Sequence, residues 1–289
     1  MEKALLWRGA VAGAFGGLLA FIFGRIFAEP FITKAIDYES GRDAAQAALD
    51  KAAGLPVEAA GPDIFSRTIQ ADVGIGVGLI AFGAAMGALF AVAYTLCLGH
   101  VGSVRPRTLA ILVAAGGFLG FYLVPFIKYP ANPPAIGHEE TIRARSGLYL
   151  LMVFFSILFL ALAVVLGQWL RNHYQLSTWT ASLLSAAAFA VAIGVVMGLL
   201  PAVGHLAANK AEYGNQATET PLPLTDPSGR IVYPGFPADV LFRFRLYSVG
   251  AQLLLWSTIG LVFAPLAERL LAPPARAAGT RSEAARATA

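Results

Sequence analysis

The sequence predicts an all-α polytopic membrane protein, a bundle of six transmembrane helices with irregular outer loops. Hydrophobic residues form 57% of the chain and charged residues only 13%, and the apolar residues gather in six long runs. An ordinary soluble domain is about a quarter charged, so this chain lacks the polar surface to face water on all sides. Five helices is the alternative count, because the sixth run contains Gln252 and follows two arginines.

Each run is long enough for a helix to cross the hydrocarbon core of a bilayer, which takes about 20 residues. The predicted spans form one domain, 1–270, and cover residues 5–28, 73–99, 108–127, 147–170, 181–204 and 246–266. We expect the first run to be retained, because it is longer than a signal-peptide core and no small residue precedes a cleavage site at its end. The Ala/Arg-rich tail, 271–289, has no apolar period and is predicted to be disordered in the cytoplasm.

Basic residues in the short connections predict that both termini are cytoplasmic. With the N-terminus inside, the cytoplasmic segments carry nine Lys or Arg and three acidic residues, while the outer segments and helix ends carry fourteen acidic residues. Short basic connections stay on the cytoplasmic side. The basic residues are scattered at helix ends, which argues against nucleic acid as a partner and leaves the lipid bilayer.

The three outer segments differ in composition. Segment 29–72 begins with Glu29-Pro30 and contains an Ala-rich stretch, 43–53, that predicts a short surface helix. Segment 128–146 is compact and rich in proline, and segment 205–245 has prolines and Ser228-Gly229 that predict turns, with one short hairpin around Ile231–Tyr233.

Glycines recur at four-residue spacing within the spans. This spacing lets helix backbones approach closely in lipid, so we interpret it as helix packing rather than as hinges for gating. The pairs are Gly13 and Gly17, Gly74 and Gly78, Gly83 and Gly87, Gly116 and Gly120, and Gly194 and Gly198.

The chain has no motif that predicts an enzyme. It lacks a G-K-[ST] phosphate loop, a C-x-x-C and a G-x-S-x-G, and His138-Glu139-Glu140 has no second histidine four positions on. The span centres carry almost no charge, which counts against a proton-coupled antiporter. No permanently bound cofactor is predicted.

Carboxylates and imidazoles of the outer segments are the candidate ligands for a divalent cation. Taken singly, each is better explained as a solvated, capping or anchoring group, and Asp239 and Arg243 are spaced to pair on one helix. The candidate metal residues are Glu29, Glu39, Asp72, His138, Glu139 and Asp239, with Glu140 and His205 as further members.

Several stretches resemble the CbtA family of cobalt transporter membrane subunits. They are EPFITKAIDYE (29–39), FSRTIQADVGIGVG (65–78), FYLVPFIKYPANPPAIG (121–137), ETIRARSGLYLLM (140–152), LLPAV (199–203) and FPADVLFRFRLYSVGAQLLLWSTIGLVF (236–263). The resemblance implies cobalt import for cobalamin synthesis across a bacterial inner membrane, with the cobalt ion as substrate. It also implies a small single-span, His-bearing partner, CbtB.

One feature departs from that expectation: the segment from Glu29 to Asp72 contains no histidine. We therefore expect that the metal is captured either by a partner protein or not at all. Pro125 and Pro201, near the outer ends of two spans, are candidates for freeing backbone carbonyls along a path. The alternative function is an accessory or scaffold subunit of a larger membrane complex, without transport of its own.

Overall fold

The computed structural model describes residues 2–57, 66–102, 104–214, 216 and 219–271. Within them, six helices are long and apolar enough to cross a membrane, which confirms the helical membrane bundle. In chain order the helices are α1 Glu2–Ala52, α2 Ile69–Cys97, α3 Pro106–Lys128, α4 Ile142–Tyr174, α5 Thr178–Leu199, the short α6 Ala207–Tyr213, and α7 Ala238–Leu271. From residue 272 onward, the tail that the sequence predicts to be disordered lies outside the described residues.

The connections give the bundle two unlike ends. The short-loop end holds the start of α1, the end of α7 and the brief connections between α2 and α3 and between α4 and α5. The large-loop end holds the second half of α1, the segments between α3 and α4 and between α5 and α7, and an antiparallel hairpin of β1 Leu224–Thr225 and β2 Ile231–Tyr233. The hairpin lies where the sequence predicts it.

Helix α1 is much longer than a membrane requires. Its 51 residues extend about 77 Å at 1.5 Å per residue, against a hydrocarbon core of about 30 Å. The separate surface helix predicted at 43–53 is therefore corrected, because the first span continues without a break to Ala52. Pro30 normally signals a break, but it directly follows a π-helical turn, Gly24–Ala28, and the helix continues past it.

Glycines bring α1 and α2 into backbone contact. A Cβ atom added to Gly13 would lie 2.0 Å from the carbonyl oxygen of Gly83, and one added to Gly83 would lie 2.3 Å from that of Gly13. Gly9 and Gly87 oppose each other in the same way, with distances of 2.3 and 2.1 Å. For these glycines the packing interpretation is correct, because no other residue fits at the crossing.

Helices α3 and α7 complete a four-helix core with α1 and α2. Phe90, Tyr94 and Phe263 are buried, and the Phe263 ring meets those of Phe90 and Tyr94 edge to face, with centroids 4.9 and 5.0 Å apart. Trp256 of α7 packs on Gly117 of α3, where an added Cβ would lie 2.1 Å from the indole ring. This apolar core lies toward the short-loop end.

Helices α4 and α5 form a hairpin at the side of this core. Gly116 and Gly120 of α3 pack against α4. A Cβ atom added to Gly116 would lie 3.2 Å from the Leu160 side chain, and one added to Gly120 would lie 3.2 Å from that of Ile157, so this glycine pair also serves packing. Gly194 and Gly198 differ, since a Cβ added to either would meet no described atom within 4 Å. Much of this hairpin's apolar surface is exposed in the chain and faces the surrounding bilayer.

A polar layer at the large-loop end holds the loops against α1. The Tyr38 hydroxyl donates to the carbonyl of Pro234 at 2.9 Å, and the Arg42 guanidinium donates to that of Leu222 at 2.7 Å. The Tyr38 ring also packs on Tyr233 and Phe236. The extension of α1 thus anchors the hairpin segment above the bundle.

Candidate functional site

A cavity of about 320 Å³ lies between α1, α2, α3 and α7, near their large-loop ends. We call it the four-helix cavity. Its wall is mostly apolar, with Ala20, Leu79 and Ala251 among the lining residues. Six polar or charged side chains also line it: Arg25, Glu29, Tyr122, Tyr247, Ser248 and Gln252. A mostly apolar pocket with a few convergent polar groups is the usual form of a small-ligand site.

Three π-helical turns surround this cavity. They cover Gly24–Ala28 in α1, Ile69–Gly74 in α2 and Phe118–Leu123 in α3. Each turn contributes at least one lining residue. A π turn shifts the hydrogen bonding of a helix from i−4 to i−5 and is often found at functional sites. Three of them at one level make this the least regular part of the bundle.

Glu29 supplies a buried carboxylate to the cavity. The residue is only 7% exposed, and its carboxylate forms an ion pair with the guanidinium of Arg67, which immediately precedes α2. A buried carboxylate requires a positive partner to remain charged. Glu29 and Arg67 therefore couple α1 to α2 beside the cavity.

A second ion pair joins the same two helices through their π turns. The Nε atom of Arg25 lies 2.5 Å from Oδ1 of Asp72, and both side chains are close to half exposed. An exposed pair of this kind contributes little stability. With this pair and that of Glu29 and Arg67, both carboxylates, Asp72 and Glu29, have an arginine partner.

Tyr122 and Gln252 bring neutral oxygen atoms into the cavity wall. The hydroxyl of Tyr122 is buried and has no hydrogen-bond partner among the described residues. An unsatisfied buried hydroxyl is costly, so such a group is a candidate for contact with a ligand or water. The Ser248 hydroxyl, in contrast, donates to the carbonyl of Phe244 at 2.8 Å.

The remaining predicted metal residues lie outside this cavity. His138 caps a 3-10 turn, where its Nδ1 atom accepts from the backbone N–H of Glu140 at 3.4 Å. Asp239 is exposed at the start of α7 and makes no ion pair with Arg243, which instead lies over the Phe31 ring. Glu139, Glu140 and His205 are exposed. Among the described residues, no group of three or more His, Cys, Asp or Glu is arranged to hold a metal ion.

Glu39 lies on the α1 extension, beyond the predicted span of 5–28. Burial raises the pKa of its carboxyl, and the negative charges of Asp43 and Glu139 raise it further. Carboxylates of the extension and of the 3-10 turn therefore influence one another at the large-loop end.

Sequence reasoning missed Glu219, whose carboxylate is deeply buried at the large-loop end and lies in no recognisable motif. It is 1% exposed, and its Oε2 atom lies 2.7 Å from Nη1 of Arg145. The amide of Asn209 donates to Oε1 at 2.7 Å, and the hydroxyl of Thr141 donates to the same oxygen. Glu219 thus ties the segment between α5 and α7 to the start of α4.

The prediction that Pro125 and Pro201 free backbone carbonyls along a path holds only in part. Pro125 has no N–H to donate, so the carbonyl of Phe121 loses its helical partner and instead accepts the Tyr149 hydroxyl at 3.2 Å. The carbonyl of Pro201 accepts the Tyr129 hydroxyl at 2.9 Å. Both carbonyls therefore serve helix and loop packing.

Comparison with known families gives one match over nearly the whole chain. The sequence model of CbtA, described as a probable cobalt transporter subunit, matches residues 2–268. No curated protein and no solved structure matches the chain. The match includes every helix of the four-helix core and every residue that lines the cavity.

Proposed function

The chain belongs to the CbtA family, and from that membership we propose that it is the membrane subunit of a cobalt uptake system that supplies cobalamin synthesis. We place the protein in the inner membrane of a bacterium, with its large-loop end on the side away from the cytoplasm. The observation that supports this function most directly is the four-helix cavity, which is lined by the buried Glu29 side chain and by neutral oxygen groups inside a membrane bundle.

The cavity offers oxygen ligands to a cation. Carboxylate, hydroxyl and amide oxygens bind hard and borderline divalent ions, but they do not distinguish cobalt from its neighbours. Imidazole suits the later transition metals better. Because the described residues that line the cavity include no histidine, we assign metal selection to a small His-bearing, CbtB-like partner.

The ion pair between Glu29 and Arg67 supplies a step of exchange. A divalent cation entering the cavity competes with the single positive charge of Arg67 for the Glu29 carboxylate. Release of Arg67 removes one of the two ion pairs that the described residues form between α1 and the α2 region, since the pair of Arg25 and Asp72 remains. Cation binding is thereby coupled to the packing of these helices beside their π turns.

The packing below the cavity corresponds to an outward-facing arrangement. The cavity lining includes Ile32 and Ala131 at the large-loop end. Toward the short-loop end, the same helices are closed by Phe90, Tyr94 and Phe263. Transport then requires these aromatic contacts to loosen after the ion has bound, as in alternating access around a site between helices.

Cobalt uptake by variants of α1 tests this assignment. We expect Glu29→Gln to lower uptake about tenfold, the factor for loss of one interaction with a charged group. Glu39→Gln is the matched control, because it removes a carboxylate from the same helix outside the cavity. Radiolabelled cobalt accumulation is measured at equal membrane levels of protein, and equal uptake by the Glu29 variant and wild type would refute the role of the cavity.

An accessory subunit without transport is the second candidate. It is favoured by the lack of any three-ligand cluster among the described residues and by the ion pairing of both Glu29 and Asp72. It predicts that no variant of the cavity affects uptake in a complex that contains its partners.

A further inference from the structure

A second, larger cavity of about 480 Å³ lies at the large-loop end between the end of α3, the start of α4 and the start of α7. We call it the basic cavity. Its charged lining residues are Lys128, Arg145, Arg245 and Glu219. Three positive charges against one negative charge leave the cavity with a net charge of +2, opposite to what a cation site requires.

The single carboxylate neutralises only one of these bases. Arg145 is the partner of Glu219, at 2.7 Å. Arg245 donates through Nε to the carbonyl of Ala131 at 3.0 Å and through Nη2 to the amide oxygen of Asn132 at 2.9 Å. Both acceptors are neutral, so the charge of Arg245 remains uncompensated, and its Nη1 group has no acceptor among the described residues.

Lys128 supplies the second uncompensated charge. Its ammonium group lies 5.8 Å from the centroid of the Tyr129 ring and makes no ion pair with a described residue. A partly buried positive charge is costly unless an anion or water solvates it. Lys128 and Arg245 come from different helices and line one cavity, an arrangement suited to an anion with several oxygen atoms.

The cavity also has an apolar side. Ile142 and Leu150 of α4 line it and are 51% and 65% exposed. Both side chains are therefore open to the surroundings of the chain, and Leu150 lies within the predicted membrane span 147–170. The cavity volume lies within the range of sites for molecules of drug size and is larger than a bare phosphate needs.

We propose that the basic cavity binds the phosphate group of an anionic phospholipid, with its acyl chains along Ile142 and Leu150 of α4. Basic pockets between transmembrane helices bind such headgroups through charge and hydrogen bonds. The bound lipid bridges α3, α4 and α7 and holds the α4–α5 hairpin against the core. This role is independent of the cobalt pathway through the four-helix cavity.

Native mass spectrometry of the purified protein in mild detergent tests the proposal. Phosphatidylglycerol is titrated against phosphatidylcholine, and the retained lipid is identified by the added mass. We expect wild type to retain phosphatidylglycerol in preference and Lys128→Gln to weaken its binding about fivefold, the factor for one lysine near an anionic lipid. Arg143→Gln is the matched control, because Arg143 is an exposed base close by in α4 that does not line the cavity.

Three outcomes would overturn the lipid assignment. The first is equal retention of both lipids, and the second is an equal effect of the two substitutions. The third comes from an added arm with inorganic phosphate: displacement of the lipid by free phosphate at comparable concentration would assign the cavity to a soluble anion. Elution of both variants as folded protein at the wild-type volume is the check on folding.

Discussion

The two buried carboxylates among the described residues, Glu29 and Glu219, each have a positively charged partner. Glu29 pairs with Arg67 beside the four-helix cavity, and Glu219 pairs with Arg145 beneath the loops. The sequence identified Glu29 as a candidate because its carboxylate begins an outer segment, in the stretch 29–39 that resembles the CbtA family. Nothing in the sequence marked Glu219, since its partners Thr141 and Arg145 are 78 and 74 residues away in the chain and no periodic pattern surrounds it.

Removal of the Glu219 carboxylate is expected to destabilise the protein strongly. Glu219→Ala leaves Arg145 without its carboxylate partner and Asn209 with only the Val203 carbonyl as acceptor, and breaking a buried ion pair costs about 3–5 kcal/mol. Thermal unfolding in detergent measures the loss. Glu140→Gln removes a nearby exposed carboxylate and should leave the unfolding temperature within error, so similar unfolding temperatures for the two variants would contradict the role of Glu219.

Glu39 is expected to destabilise the folded protein at neutral pH. Burial raises its pKa above the ordinary value of 4.5, so the folded state disfavours the charged form and loses stability as pH rises through this range. Glu39→Gln should therefore stabilise the protein at pH 7, with the gain disappearing below about pH 4.5. A pH series of unfolding temperatures for wild type and variant checks this, and a gain that grows at low pH would reverse the assignment.

At the scale of elements, glycine spacing and irregular turns decide how the helices meet. At the α1–α2 crossing, backbone carbonyl groups of one helix lie where the other helix would carry Cβ atoms if its glycines were replaced. Three π turns also interrupt the helices at one level of the bundle. A regular helix pair would close the space that the four-helix cavity occupies. The site thus depends on local departures from helix geometry at the large-loop end.

Gly83→Ala is expected to disrupt the α1–α2 pair. The added methyl group would lie 2.3 Å from the carbonyl oxygen of Gly13, and overpacking of this kind costs about 1–3 kcal/mol or more. Gly194→Ala is the matched control, because its Cβ would meet no described atom within 4 Å. The yield of monodisperse protein by fluorescence-detected size-exclusion chromatography compares them, and equal yields would contradict the contact.

The sequence predicted the elements better than their contacts. Apolar run length predicted six membrane helices because the bilayer imposes that length, and the turn residues around Ser228 predicted the hairpin. Glycines at four-residue spacing include Gly13, which packs against α2, and Gly194, which packs against no described residue. The spacing alone therefore does not identify which helices are in contact. The π turns have no sequence signature, and they also explain why Glu29-Pro30 does not end α1.

At the scale of the whole molecule, two unlike cavities lie at the same end of the bundle. The four-helix cavity is lined by the Glu29 carboxylate, the Arg25 guanidinium that pairs with Asp72, and neutral oxygen groups, whereas the basic cavity carries an excess of positive charge. The first fits passage of a cation and the second fits an anchored anionic lipid. The fold and the membership of the CbtA family agree on a membrane transporter subunit.

Radiolabelled cobalt accumulation in cells that lack their own uptake systems tests whether this chain takes part in cobalt transport. The comparison includes this chain alone, this chain with a His-bearing single-span partner, and the Glu29→Gln variant with the same partner. We expect uptake that depends on the partner and falls about tenfold in the variant. Uptake at background level in every case, with the protein verified in the membrane, would contradict transport and support the accessory-subunit alternative.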